Sequence, residues 1–434
     1  MSGNPLTQAL FGDPETERHL TGQAELAAMI RFEAALAEAE AAEAVIPADA
    51  GPAIAKALQG FEIDPDDLAA ATASARVPVP ALVAALRARV GPPHGDFVHW
   101  GATSQDVVDT GWILRVRDLL DLFETRLRDT IARLADQAES YATLPMAGRT
   151  RTQIATPITF GQRIAGWLMP LVRCLERLAE LRPRLLLVQL GGASGNLSIL
   201  GEKGPAVTAD LARRLDLGCP IKPWHTERDG VVELGNWLAM VTSLLGRIGA
   251  DLTVMGRSEI AEARAGVAGG SSTMPQKANP VGAEALVTLA RAMPGHTGSL
   301  LQSLIFSEER DGVAWGLEWL ALPPMLTATG AALRHALTLA ETLDPHAEAM
   351  ARNMELGGGA IHAEALAFAL AEHMPLPEAQ ALLKQAARSG GDLPAQVSAL
   401  CTERGLPSVR PPDDLAESAA ITRAAVSHAR QSLG

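Results

Sequence analysis

Residues 109–145 read DTGWILRVRDLLDLFETRLRDTIARLADQAESYATLP, and this stretch decides the fold. Leu114, Val116, Leu119, Leu122, Leu127 and Ile131 recur at steps close to a helical turn, the pattern of one long helix with a buried apolar face. GQAELAAMIRFEAALAEAEAAEAVIP, residues 22–47, repeats it, with Leu26, Met29, Ile30 and Leu36 on one stripe and Pro47 after its end. Further helices are expected over about 158–181, 230–262, 281–293 and 315–343. Several exceed the ~11–12 residues of an ordinary globular helix. Helices that long need more cover than one small domain supplies, which predicts an elongated central bundle buried against copies of itself. Strand signals are confined to short runs such as RLLLVQL, residues 184–190, so the expected class is all-α. Gly357 to Gly359 mark a break before a small helical unit. The expected division is residues 1–110, 111–355 and 356–434.

Composition agrees with close-packed helices: Ala dominates the 434 residues, aromatics are 4% and Tyr141 is the sole tyrosine. A net charge of -13 argues against a nucleic-acid-binding face but leaves room for a local cationic cluster around a small anion. Cys174, Cys219 and Cys401 are odd in number and far apart, with no disulfide or CxxC pattern, which points to a reducing cytoplasm. No signal-peptide pattern opens the chain, and the most apolar helix is interrupted by Glu233, Asn236, Arg247 and Asp251, so no membrane partner is expected. His19, His94, His99, His225 and His362 lack metal-ligand spacing. The expectation is organic acid–base chemistry with no metal and no cofactor.

Polar residues cluster at helix boundaries. GGSSTMPQKANP, residues 269–280, combines two glycines, Ser271, Ser272, Met274, Lys277 and Asn279 ahead of a helix, with Asn279 expected as its N-cap and Pro280 in its first turn. Such a loop sets hydroxyls and a cation against a helix N-terminus, where free amides favour anions. Lys277 stands out because the other lysines are Lys56, Lys203, Lys222 and Lys384 in a chain that otherwise uses Arg. HWGATSQDVVDT, residues 99–110, crowds His99, Thr103, Ser104 and Asp106 before a long helix. It reads either as an N-cap with an acidic first turn or as a binding cluster. AGRTRTQIATP, residues 147–157, carries Arg149, Arg151 and Gln153; guanidinium groups match carboxylates with paired N–H bonds, although one of the two arginines fits a turn that pairs with an acidic residue. QLGGASGNL, residues 189–197, and PWHTERD, residues 223–229, add tight turns and a candidate pocket lining in His225 and Arg228.

GGSSTMPQKANPVGAE resembles the GSSxMPxKxNxxxxE signature of the fumarase/aspartase superfamily, HWGATSQDVVDT its HxGxTSxDxxxT segment and GRTRTQ its GRTHxQ segment, in the same order across nearly the whole chain. The resemblance implies a three-domain, all-α subunit whose long helices pack in a homotetramer core. It also implies active sites drawn from three subunits, and reversible elimination from small polycarboxylates without a metal. Ser271 matches the catalytic serine, while Thr103, Ser104, Gln153, Ser272, Met274, Lys277 and Asn279 fall on the substrate-holding segments. Arg151 replaces the histidine of GRTHxQ and suits an extra carboxylate. EERDGVAWGLEW, residues 308–319, resembles the ERDxSxSSxER stretch of nucleotide-handling members but lacks its serines and ends in Trp319 rather than arginine. These departures resemble the branch that closes 3-carboxy-cis,cis-muconate to 4-carboxymuconolactone. There Ser271 would deliver the proton to carbon, and His99 and His225 are candidates for assisting the oxygen. An adenylosuccinate-lyase-like elimination and a catalytically silent helical scaffold are the alternatives.

Overall fold

The structure is a computed structural model that describes residues 4–266, 269–270, 274, 277–411 and 415–434. Its described residues are overwhelmingly helical. The expected long helices are Gly22–Ala42, Ser104–Ser140, Phe160–Leu185, Asp229–Met255, Val281–Leu301 and Gly312–Glu341. The chain divides into two compact units, each assembled from three segments: 1–126, 174–243 and 289–334, and then 127–173, 244–288 and 335–434. Compactness therefore partitions the chain differently from the expected three-way division, because the long helices contribute residues to both units.

In the first unit, Thr21 caps the Gly22–Ala42 helix by accepting the Ala24 N–H. Leu26, Met29, Ile30 and Leu36 are buried in one core with Leu82, Leu86, Val107, Leu190, Leu211 and Trp315. Burying a side chain of this size is worth about 1.5–3 kcal/mol, so this core is what holds the helix starts in place. The long helix begins at Ser104, five residues before the expected Asp109. The cause is reciprocal capping: the Thr103 carbonyl accepts the Asp106 N–H, and the Asp106 carboxylate accepts the Thr103 N–H. Leu119, Leu127 and Ile131 along this helix are fully buried, as their spacing requires.

The second unit departs from an all-helical picture in short strands, Ala263–Arg264 paired with Asp344–Pro345 and, more extensively, one hairpin. AGRTRTQIATP is an antiparallel hairpin, Pro145–Thr150 with Gln153–Thr159, in which Thr150 pairs Gln153 across a two-residue turn. Arg151 and Thr152 form that turn with φ of 47° and 72°, the geometry usually met by Asn-Gly. Without Gly, Asn or Asp there, the local sequence carries no hairpin signal. A separate core of Leu366, Leu370, Leu382, Leu383, Val397 and Cys401 holds the helices after the glycine break. RLLLVQL leaves helix after Leu185, and Leu187 then forms a lone bridge to Gly218. Among the described residues, only Asp229–Met255 is long and apolar enough to cross a membrane, and half of that window is buried inside the molecule.

Candidate active site

In the first unit the polar clusters converge on the N-terminus of the Ser104–Ser140 helix. Asp106 is fully buried and accepts four N–H groups: the Thr103, Gly191 and Gly192 amides at 3.0, 2.9 and 2.9 Å and the Gln189 side chain at 2.9 Å. Burial pushes its carboxyl above the usual range, while these donors pull it back toward the charged form. One carboxylate thus pins the QLGGASGNL turn to HWGATSQD. Gln189 also accepts the Trp224 N–H at 2.8 Å, and Gln105 donates to the His225 carbonyl at 2.9 Å, which brings PWHTERD to the same place.

His225 lies 6% exposed, and neither ring nitrogen has a hydrogen-bond partner among the described residues. Burial, and then the cations Arg310 and Lys222, hold its pKa below the ordinary value, so the ring is neutral. Gly195, at φ 78°, lies so close that a Cβ there would overlap the ring's Cε1. Only glycine permits this approach.

His99 is the second histidine. Its backbone is in the left-handed region at φ 62° and its Nδ1 lies 2.6 Å from Glu33 Oε1. Burial lowers its pKa, but the Glu33 bond and charge outweigh that, and the net direction is upward. Thr103 precedes and Ser104 opens the helix that follows it in the chain. Arg310, which sequence reasoning missed, donates to Gln105 Oε1 at 3.1 Å, Thr103 Oγ1 at 3.3 Å and the Ala193 carbonyl at 3.2 Å. The residue is exposed and sets a cation next to a hydroxyl at a helix N-terminus. The ERD of residues 309–311 was the available signal.

Arg228, expected among the substrate-holding residues, is 2% exposed and directs its donors at Asp109 and Glu318 at 2.8 and 2.7 Å. Trp315 donates to Asp109 at 3.0 Å, and Trp224 stacks 5.0 Å from the guanidinium. Arg228 is an anchor that holds PWHTERD to two helices, and its pKa is raised because its two carboxylates outweigh burial.

In the second unit, Arg149 pairs bidentately with the buried Glu262 at 2.8 and 2.7 Å, and Asn353 donates to the same carboxylate at 2.9 Å. One of the two arginines thus pairs with an acidic residue, but from a strand and against a buried carboxylate rather than in a turn. Arg151, at the hairpin tip, is exposed, and Gln153 opens the return strand. The ends of the signature loop are tied: Gly269 and Asn279 exchange two backbone hydrogen bonds of 3.0 Å. A Cβ on Gly269 would meet Val281 at 2.5 Å. Lys277 and Met274 are exposed, the Lys277 N–H bonding the Met274 carbonyl at 3.0 Å. The helix begins at Val281 and the Pro280 carbonyl accepts the Glu284 N–H, so Pro280 takes the capping position expected of Asn279. The backbone ladder to Gly269 holds Asn279 outside the helix. Ser271 and Ser272 lie outside the described residues.

A model of a lyase family matches residues 13–295. The chain belongs to this lyase family. Among lyase-family relatives, 3-carboxy-cis,cis-muconate cycloisomerase of Pseudomonas aeruginosa is 41% identical over 89% of this chain and 85% of its own. That of Pseudomonas putida is 40% identical over 88% of this chain and 92% of its own. The crystal structure of 3-carboxy-cis,cis-muconate lactonizing enzyme from Pseudomonas putida superposes with a TM-score of 0.91 at 38% identity, covering 99% of this chain and 100% of that one. The all-α superfamily expected from the three motifs is therefore the one the lyase family represents in this chain.

Proposed function

We propose that the chain closes 3-carboxy-cis,cis-muconate to 4-carboxymuconolactone. The observation that carries this reading is Arg151. It replaces the histidine of GRTHxQ and stands exposed at a strained hairpin tip, where a guanidinium suits one carboxylate more than a small dicarboxylate substrate provides. The relatives of about 40% identity, named for this reaction, support it.

In the reaction one substrate carboxylate adds to the double bond: a C–O bond forms, the π pair takes a proton at the neighbouring carbon, and no atom leaves. Holding that carboxylate over the alkene lowers the barrier by orientation. The charge that develops beside a carboxylate is met by fixed donors. Ser271 delivers the proton to carbon. Thr103, Ser104, Arg151, Gln153, Ser272, Met274, Lys277 and Asn279 hold the substrate, and His99 with its raised pKa and the neutral His225 are the groups for oxygen. Arg228 serves this site as an anchor.

We also infer a cytoplasmic homotetramer with segments of different copies completing each site. Val313, Trp319 and Leu320 on one long helix, with Leu301 and Met240 on two others, are exposed apolar residues that fit burial against copies. Light scattering tests the assembly.

The reaction is tested by the loss of diene absorbance with 3-carboxy-cis,cis-muconate, alongside adenylosuccinate. Turnover of adenylosuccinate alone overturns the reading. Ser271→Ala is expected to keep the oligomer and lose roughly 10²–10⁴-fold in kcat; near-normal turnover removes Ser271 from proton transfer.

A further inference from the structure

The Gly22–Ala42 helix carries two carboxyl groups, seven residues apart, into the first unit's apolar core. Glu33 is 1% exposed and Glu40 is fully buried. A carboxylate taken out of water without a counter-charge is costly, so such groups are neutralised or paired. Glu40 is neutralised: neither of its oxygens has a partner among the described residues, and burial, with Glu33 adding to it, pushes its carboxyl up to about 9. Glu33 is paired: its Oε1 meets His99 Nδ1 at 2.6 Å, while its Oε2 has no partner among the described residues. The two carboxyls on one buried face thus divide their roles, and Glu40, protonated at neutral pH, does not compete for the imidazole.

The backbone that carries the ring is fixed as well. Arg87 donates to the Val98 carbonyl at 3.1 Å, fixing the residue before His99. The His99 backbone sits at φ 62°, a conformation that persists in a non-glycine residue only where its surroundings enforce it. The charged groups that face the ring are Glu33, Asp106 and Arg87. Among the described residues the ring's hydrogen bond is the one between Nδ1 and Glu33.

We propose that Glu33 is the positioning residue of His99: it accepts the Nδ1 proton, fixes the ring's orientation and, as the counter-charge of the protonated ring, leaves Nε2–H as the donor offered to a substrate carboxylate. This rests on the reading that His99 touches substrate. The same carboxylate that orients the ring also favours its protonated form, so orientation and charge preference come from one bond.

The experiment labels histidine at ¹³Cε1 and follows His99, assigned by its absence in His99→Asn, through a pH titration of the intact protein. In the wild type His99 is expected to titrate above the ordinary histidine value of about 6.5. In Glu33→Gln, which keeps size and hydrogen bonding but removes the charge, the midpoint is expected to fall by about one unit or more. Over the same range kcat/KM for 3-carboxy-cis,cis-muconate is expected to fall roughly 10- to 100-fold, as when a functional histidine loses the carboxylate that orients it. The alkaline decline of kcat/KM should begin at lower pH, a shift that mere loosening of the core does not produce. Glu40→Gln, already neutral in effect, is expected to leave both readouts within about twofold. A wild-type midpoint below the ordinary value overturns the proposal without any variant, as does an unchanged midpoint in Glu33→Gln. Wild-type inactivity toward 3-carboxy-cis,cis-muconate sinks the reaction reading instead, and the titration still decides the pair.

Discussion

Two arginines that look alike in sequence, Arg228 and Arg151, have opposite surroundings. Arg228 lies in the first unit, 2% exposed, between two buried carboxylates and under a tryptophan. Arg151 lies in the second unit at the tip of a hairpin, exposed, on a backbone at φ 47°. A guanidinium whose donors are spent on carboxylates of its own unit has little left for a ligand. One displayed on an exposed turn has its donors open to a ligand. Flanking polarity, by which both were chosen, does not separate them; the availability of partners does.

The comparison breaks most readily at its buried end. Arg228→Met removes the cation and leaves Asp109 and Glu318 buried without a counter-charge. Breaking such a pair from one side costs about 3–5 kcal/mol, so denaturant unfolding is expected to show a loss of that size. The sign of its pH dependence follows from Glu318. Burial already raises that carboxyl and Arg228 restrains the rise. Without Arg228 it rises further, so the penalty is full above the raised value and shrinks as pH falls through it. The gap to wild type should therefore narrow in acid. A loss below about 1 kcal/mol, the range of exposed ion pairs, places Arg228 with exposed arginines and ends the distinction.

The long helices were legible because periodicity is local: Leu119, Leu127 and Ile131 needed only each other to be placed on one buried face. The helix starts were legible for the same reason, although capping by Asp106 moved one of them to Ser104. The partners that sort the arginines are not local. Asp109 and Glu318 lie 119 and 90 residues from Arg228, and Glu33 lies 66 residues from His99. No spacing rule covers those distances. Arg310 reaches Thr103 across 207 residues, and its motif was visible while its contact was not. The hairpin escaped because Arg151 and Thr152 are not turn formers of the type their backbone demands.

At the exposed end, Arg151→Ala is expected to change binding and leave stability alone. A hydrogen bond to a charged group is worth about 1.5–3 kcal/mol, which corresponds to a rise in KM for 3-carboxy-cis,cis-muconate of roughly 10- to 100-fold. Unfolding should stay within about 0.5 kcal/mol of wild type, as for other surface substitutions. Steady-state kinetics and denaturant titration on the same preparation check both halves. A KM within twofold of wild type removes Arg151 from substrate binding and leaves the replacement of the motif histidine without a role.

The smallest effect concerns the strain itself. Thr152 is β-branched and sits at φ 72°, where a residue of that kind is an outlier. Its hydroxyl donates only to the adjacent Arg151 carbonyl, at 2.6 Å. A non-glycine residue held there costs of order 1–3 kcal/mol, and the added freedom of a glycine in the unfolded chain returns about 0.5–1 kcal/mol of that. Thr152→Gly is thus expected to stabilise the protein by about 1 kcal/mol, read as a higher denaturant midpoint at unchanged slope. The same change loosens the tip that carries Arg151, and a less preorganised guanidinium binds more weakly. KM should therefore rise a few-fold while stability rises with it. Stability and binding moving in opposite directions is the signature of strain kept for positioning. If both improve together, the turn is merely imperfect, and Arg151 owes nothing to the backbone that displays it.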